Sequence, residues 1–289
     1  MPGSSKAFRK HGTFIYEVGP TIARYGTSAL AIEAMKEAQM THAWVRIHNS
    51  EAAYSSGDKK KIAAFIKELV DAGINVAGWG WCQGSDPTAD AKLAVKELTS
   101  FGLTDYVADI EHGVHGANWQ VNEITNFCTR VRAGVTGSFG VTTFPLIDWH
   151  EPELMKAALP FVDMFNPQVY WHYFPNKKML KQFKRPDGSA YELENAASYA
   201  ELCLDRWAKL MGSTPKDIVI TGQAYWGEGK PPFPQGDAED KLDQFFGAWT
   251  GYDRVIGLNW WHFGGGQCMS HRMRNSINKA KLGTKPYKK

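Results

Sequence analysis

Asp109-Ile110-Glu111 sets two carboxylates one residue apart at the end of a short strand-like run, residues 105–111. Successive side chains of a strand point to opposite sides, so Asp109 and Glu111 share one face while Tyr106, Ala108 and Ile110 share the other. Two carboxyl groups held that close repel when both are ionised, which favours retention of one proton near neutral pH. A retained carboxyl proton is what a general acid needs to release a leaving oxygen, and glycosidic cleavage uses carboxylates in this way. A strand end with two solvated acids is the alternative at this level.

The elements that must position this pair follow from the spacing of apolar runs. Runs bounded by turn residues predict strands over 12–18, 42–48, 74–81, 105–111, 138–146, 163–171, 217–226 and 255–261. Helical periodicity falls between them, over about 28–39, 58–72, 88–101, 118–132, 152–159, 196–210, 238–249 and 270–280. In the clearest of these, Asp58 is placed to cap the first turn, Ile62, Phe65, Ile66, Leu69 and Val70 form one stripe, and Gly73 follows as a stop. Pro152 suits a first helical position. Strict alternation with short connections predicts a parallel sheet. Eight units in a chain of this length favour closure into an α/β (β/α)8 TIM barrel, one domain over residues 1–289. No G-x-G-x-x-G follows the first strand, which weighs against an open dinucleotide-binding sheet. The one long connection, about 172–195, contains Arg185-Pro-Asp-Gly-Ser, a hairpin-turn pattern.

Chemistry in such barrels gathers at the carboxyl ends of the strands. Asp109 and Glu111 fall there, and so do most of the eleven tryptophans: Trp79 and Trp81 at the third strand, Trp119, Trp149, Trp171, Trp226, Trp260 and Trp261 at or beyond later ones. Aromatic faces around an acid pair suit a carbohydrate polymer, although about half of these rings are expected to pack in the core. On the sixth strand Asn166, Gln168 and Tyr170 share parity, and three polar side chains at successive lumen positions are costly unless they bond each other or a ligand. Histidines 48, 112, 115, 150, 172 and 262 also lie near strand ends, which raises a metal-dependent barrel hydrolase as a competing class. That class expects an H-x-H pair on the first strand, and Phe14-Ile-Tyr-Glu17 lacks one, so no metal or other cofactor is expected.

Composition narrows the rest. The net charge is +3 with no long basic block, which does not suggest a nucleic-acid partner. No run of about 18 apolar residues is present to span a bilayer, and the first residues lack the apolar segment of a secretory signal. A cytoplasmic protein, or one released by lysis or a non-classical route, is therefore expected. Cys82, Cys128, Cys203 and Cys268 are far apart and read as reduced thiols.

Four strand ends resemble those of the chitinase-type family 18 glycoside hydrolases. The strand-four signature of that family ends in D-x-E, matched by Asp109-Ile-Glu111, with Thr104 and Val107 where its long form has further aspartates. Val162-Asp-Met-Phe-Asn-Pro-Gln-Val-Tyr170 is similar to V-D-x-x-N-x-M-x-Y, with Gln168 at the Met position. Ile220-Thr-Gly-Gln-Ala-Tyr-Trp-Gly227 is similar to G-x-P-x-Y-G, with Ala224 for Pro and Trp226 for Tyr. Gly257-Leu-Asn-Trp-Trp261 would put Trp261 at the barrel-floor tryptophan. The family 25 lysozymes, barrels that also carry D-x-E on strand four, are a close second resemblance.

Both resemblances imply cleavage next to 2-acetamido sugars, in peptidoglycan or chitin-like glycans. Glu111 is then expected as the general acid, with Asp109 in support and Tyr170 orienting an acetamido carbonyl that attacks the anomeric carbon. Trp81, Asn166, Gln168, Trp171, Tyr225, Trp226, Trp261 and Glu228 are expected to bind the glycan. Glu228 would be the nucleophile of a two-carboxylate variant, and Glu17 and Asp148 are further cleft candidates. A carbohydrate-binding barrel without catalysis is the remaining class. The resemblance also suits a bacterial or phage wall-lytic setting.

Overall fold

A computed structural model describes residues 5–50, 52–149, 151–171, 180–192, 194–226, 234–248 and 254–280. Eight strands form the barrel: β1 (Lys10–Ile15), β2 (Met40–Asn49), β3 (Asn75–Cys82), β4 (Tyr106–Ile110), β5 (Phe139–Thr143), β6 (Met164–Val169), β7 (Asp217–Gln223) and β8 (Val255–Trp261). Each pairs in parallel with its neighbour in sequence, and β1 pairs with both β2 and β8, so the sheet closes into the expected barrel. A two-residue strand, Ala52–Ala53, adds an antiparallel arm to the end of β2. The described helices are α1 (Val18–Tyr25), α2 (Ser28–Glu37), α3 (Ser56–Asp71), α4 (Pro87–Ser100), α5 (Val121–Gly134), α6 (Pro152–Ala158), α7 (Ala196–Met211), α8 (Gln235–Ala248) and α9 (His271–Lys279).

All eight predicted strands are present, most of them shorter than expected at the carboxyl end. The first is expected over 12–18 but ends at Ile15, because Val18 begins α1, a helix that the expected pattern leaves out. In α3 the N-cap is Ser55, whose hydroxyl accepts the Asp58 backbone N–H, rather than Asp58 itself. Ile62, Phe65, Ile66 and Leu69 of the expected stripe are buried, but Val70 is 54% exposed on the flank of the helix. Pro152 starts α6 as expected, and Arg185–Ser189 forms the predicted turn, closed by the Arg185 N–H to Ser189 carbonyl bond. No helix among the described residues is long and apolar enough to cross a membrane.

Two apolar layers result from strand alternation. Outward-facing residues such as Tyr106, Ala108, Ile110, Phe165 and Val169 pack against the helices. Inward-facing Trp44, Trp79, Val107, Met164 and Val219 fill the lumen together with Ala7 and Phe8 of a short 3-10 turn. That turn plugs the amino end: Phe8 meets Trp44 edge-on at 5.6 Å, and the Trp44 indole N–H donates to the Ala7 carbonyl at 2.8 Å. With the amino end filled, the lumen opens toward the carboxyl end.

Close packing behind the third strand depends on a glycine. A methyl group built on Gly80 would lie 2.1 Å from Nε2 of His48, a nitrogen that bonds the Tyr106 hydroxyl at 2.7 Å on the helix-facing side. Gly80→Ala is therefore expected to lower stability by about 1–3 kcal/mol. Urea unfolding of the variant should show a lower midpoint; an unchanged midpoint would mean that this layer yields to the added methyl.

Candidate active site

Above the aromatic filling, the lumen opens into a cavity of about 670 Å³. Asp109, Glu111, Gln168, Tyr170 and Tyr225 line it together with Tyr16, Arg46, Asn49, Trp81 and His115, and Phe14, Trp79 and Trp261 also line it. Phe14 packs edge-on against Trp79 at 5.2 Å and Trp261 at 5.3 Å, and Trp79 meets Trp261 at 5.9 Å, so the three rings fix one another. The peptide bond that follows Trp261 is cis.

Strand parity delivers the acid pair. Val107, Asp109 and Glu111 face inward on β4, and the register aligns Asp109 with Trp81 on β3 and with Thr142 on β5. Gln168 reaches the pair from β6: its side-chain N–H2 group lies 3.1 Å from Oδ1 of Asp109, 2.7 Å from Oε1 of Glu111 and 3.4 Å from the Thr142 hydroxyl. One amide thus spans both carboxyl groups.

Burial and mutual repulsion set the charge of the pair. Asp109 is 8% exposed, and its carboxyl is pushed well above the usual aspartate range, first by desolvation, then by the Glu111 charge and a hydrogen bond to Glu111. Glu111 is also raised by burial, while the bonds from Gln168 and Asp109 and the charge of His115 oppose the rise. Both shifts favour a proton held within the pair, in the hydrogen bond between Asp109 and Glu111.

Several expected site residues lie elsewhere. Asn166 faces the lumen one layer below the cavity and is sealed there, its amide donating to the Val219 carbonyl and accepting from the Thr221 hydroxyl at 2.7 Å. Trp171 is fully buried and stacks on Phe245 at 5.2 Å in the outer layer. Trp226 packs against the same outer core. Alternation explains both displacements, because Tyr170 and Tyr225 take the inward positions and their successors must turn away. Glu228 lies outside the described residues, as do His150 and His172. Asp148 is held by Arg206 through bonds at 2.7 and 2.5 Å and does not reach the cavity. Among the described residues no group of three His, Cys, Asp or Glu side chains converges as a metal site.

Tyr16, Arg46 and Asn49 are cavity residues that the sequence reading missed. Arg46 had a signal: a charge within the apolar run His-Ala-Trp-Val-Arg-Ile-His is costly in a lumen unless something there uses it. Asn49 had none, because Arg46 and Asn49 are three apart and belong on opposite faces of a regular strand. An irregularity of the β2–β3 ladder between Arg46 and His48 returns both to the cavity.

No family model matches the chain, and no curated protein matches it in sequence. Solved structures do. The family 18 chitinase ChiB from the chitin utilization locus of Flavobacterium johnsoniae superposes with a TM-score of 0.58 at 12% identity, covering 98% of this chain and 97% of that one. A family 18 chitinase from Pseudoalteromonas aurantia gives 0.58 at 12% identity over 94% and 100%. The spore cortex-lytic enzyme SleL of Bacillus megaterium gives 0.53 at 10% identity over 100% and 77%. These enzymes share the (β/α)8 barrel fold of this chain.

The raised Asp109 carboxyl has a measurable consequence for stability. The native state keeps a proton that the unfolded chain releases near the ordinary aspartate value of about 3.9. This contribution is complete below that value and is lost as pH rises through the native pKa. Asp109→Asn removes the effect, so its stability relative to wild type is expected to climb by on the order of 1–3 kcal/mol between about pH 5 and pH 8. Urea unfolding across that range checks this; a constant difference would place an ordinary, ionised aspartate at position 109.

Proposed function

We propose that the chain is a glycoside hydrolase acting on a polymer of 2-acetamido sugars, peptidoglycan or chitin-like, in a single catalytic domain. The observation that carries this reading is the buried carboxyl pair, bridged by the Gln168 amide, at the wall of an aromatic-lined cavity. Such a pair inside a water-poor cleft supplies a proton donor at neutral pH, and indole and phenol faces suit the C–H faces of sugar rings.

The residues suggest an order of events. An acetamido N–H that enters the cleft needs an acceptor, and a protonated Asp109 has given its proton to the hydrogen bond with Glu111. Binding therefore favours transfer of that proton to Glu111, leaving Asp109 as the carboxylate that accepts the N–H. Glu111, now neutral, protonates the bridging oxygen as the C–O bond breaks. The acetamido carbonyl oxygen closes on the anomeric carbon, so no protein nucleophile is required. Tyr170, which packs edge-on against Tyr225 at 5.6 Å and lines the same cavity as the acid pair, orients that carbonyl in this reading. Water then opens the ring intermediate, with the Glu111 carboxylate taking its proton. Gln168 keeps the two carboxyl groups apart and aligned throughout.

Glu111→Gln keeps the shape of the side chain and removes the acid. Its turnover of acetamido-sugar polymers is expected to fall by about 10²–10⁴-fold or more while glycan binding persists. Release of reducing ends, followed with peptidoglycan and with chitin oligomers, reads the loss. Equal turnover in the two proteins would remove Glu111 from the mechanism, and binding without turnover in wild type would make the barrel a carbohydrate-binding protein.

A further inference from the structure

The cleft holds one charged group that the hydrolytic steps leave unused, Arg46. Its side chain is 8% exposed, on an inward position of β2, and its guanidinium carbon sits 3.9 Å over the Tyr16 ring. Nε donates to the Tyr54 hydroxyl, and Nη2 reaches Oε1 of Glu17 at 3.4 Å. These bonds use two of the five N–H donors that a guanidinium carries. Glu17 is a weak counter-charge, 48% exposed and at the long end of ion-pair distance. A buried cation with so loose a partner is stabilised by a better one, and a planar guanidinium held by an aromatic face is preorganised for a carboxylate.

Its position relative to the acid pair makes this a question of substrate. In the ladder Arg46 aligns with Trp79, and Asn49 aligns with Trp81, which aligns in turn with Asp109. Asn49 is therefore in register with Asp109 through Trp81, two strands away and roughly 10 Å along the ladder at about 4.8 Å per strand. Arg46 enters the same cavity below it. Two linked sugar rings span such a distance, so a substituent on a ring near the cleaved bond reaches Arg46 while the glycosidic oxygen lies at Glu111.

We propose that Arg46 is a specificity-determining residue that reads a carboxylate substituent on the glycan, so that the preferred substrate is an acidic 2-acetamido polymer, such as one bearing lactyl ethers, over neutral chitin. The inference rests on the hydrolase reading for its choice of ligand. A bound carboxylate displaces Glu17 from Nη2 and pairs with the guanidinium, while Tyr16 and Tyr54 keep the fork in place.

Calorimetry with a muramic-acid-containing tetrasaccharide and with chitotetraose separates the possibilities. Wild type is expected to bind the acidic ligand more tightly, and Arg46→Gln to lose about ten-fold or more in affinity for it with less than about two-fold change for the neutral one. Glu17→Gln, which removes the competing carboxylate and leaves Arg46 seated on Tyr16, is expected to tighten the acidic ligand alone. Equal affinity of wild type for both ligands, an equal loss of both in Arg46→Gln, or no gain in Glu17→Gln would overturn the proposal. Turnover measured in parallel tests the hydrolase reading by itself: selective binding without cleavage leaves the carboxylate site standing and removes the enzyme.

Discussion

One proton shared between two carboxyl groups inside a closed ring of strands is the constraint on which the site depends. Asp109 and Glu111 would each ionise readily in water. On the inner face of β4 they are desolvated together, and the cost of two adjacent charges keeps the proton within the pair. Gln168 is the counterpart of that constraint, because its single amide bonds both carboxyl groups and holds the spacing across which the proton moves. Removal of the ring closure or the parity would return the two acids to ordinary surface behaviour, whereas the Gln168 bonds oppose the rise that burial causes.

The barrel supplies the low-dielectric setting by filling itself from one end. Phe8 and Trp44 close the amino end, the mutually packed Phe14, Trp79 and Trp261 form the next level, and the polar residues begin above them. Asn166 marks the boundary. It faces the lumen as a ligand-binding residue would, yet its amide is satisfied by the Val219 carbonyl and the Thr221 hydroxyl, so its polarity serves the cohesion of the strands. The same side-chain chemistry two residues further along, at Gln168, is bonded to the acid pair.

Much of this architecture is legible in the chain. Period-two alternation places Asp109, Glu111, Gln168 and Tyr170 inward, and the structure brings all four into one cavity. The Trp171 and Trp226 assignments failed on the same rule, since neighbours of an inward residue must face out; an aromatic count at strand ends is blind to parity. Asn49 was invisible because a local irregularity of the β2 ladder reverses parity between Arg46 and His48, and nothing in residue type announces it. The Ser55 cap and the helix at Val18 were missed through local competition, a hydroxyl outranking a nearby carboxylate in one case and a short helix following directly on a strand in the other.

The central claim, a proton held jointly by Asp109 and Glu111, is tested most directly by a carboxyl-carbon NMR titration of the two side chains. The account expects two coupled steps seen at both nuclei, the upper one well above the ordinary carboxylate range and carried mainly by Asp109. Independent titration of both groups near their ordinary values of about 3.9 and 4.3 would contradict it.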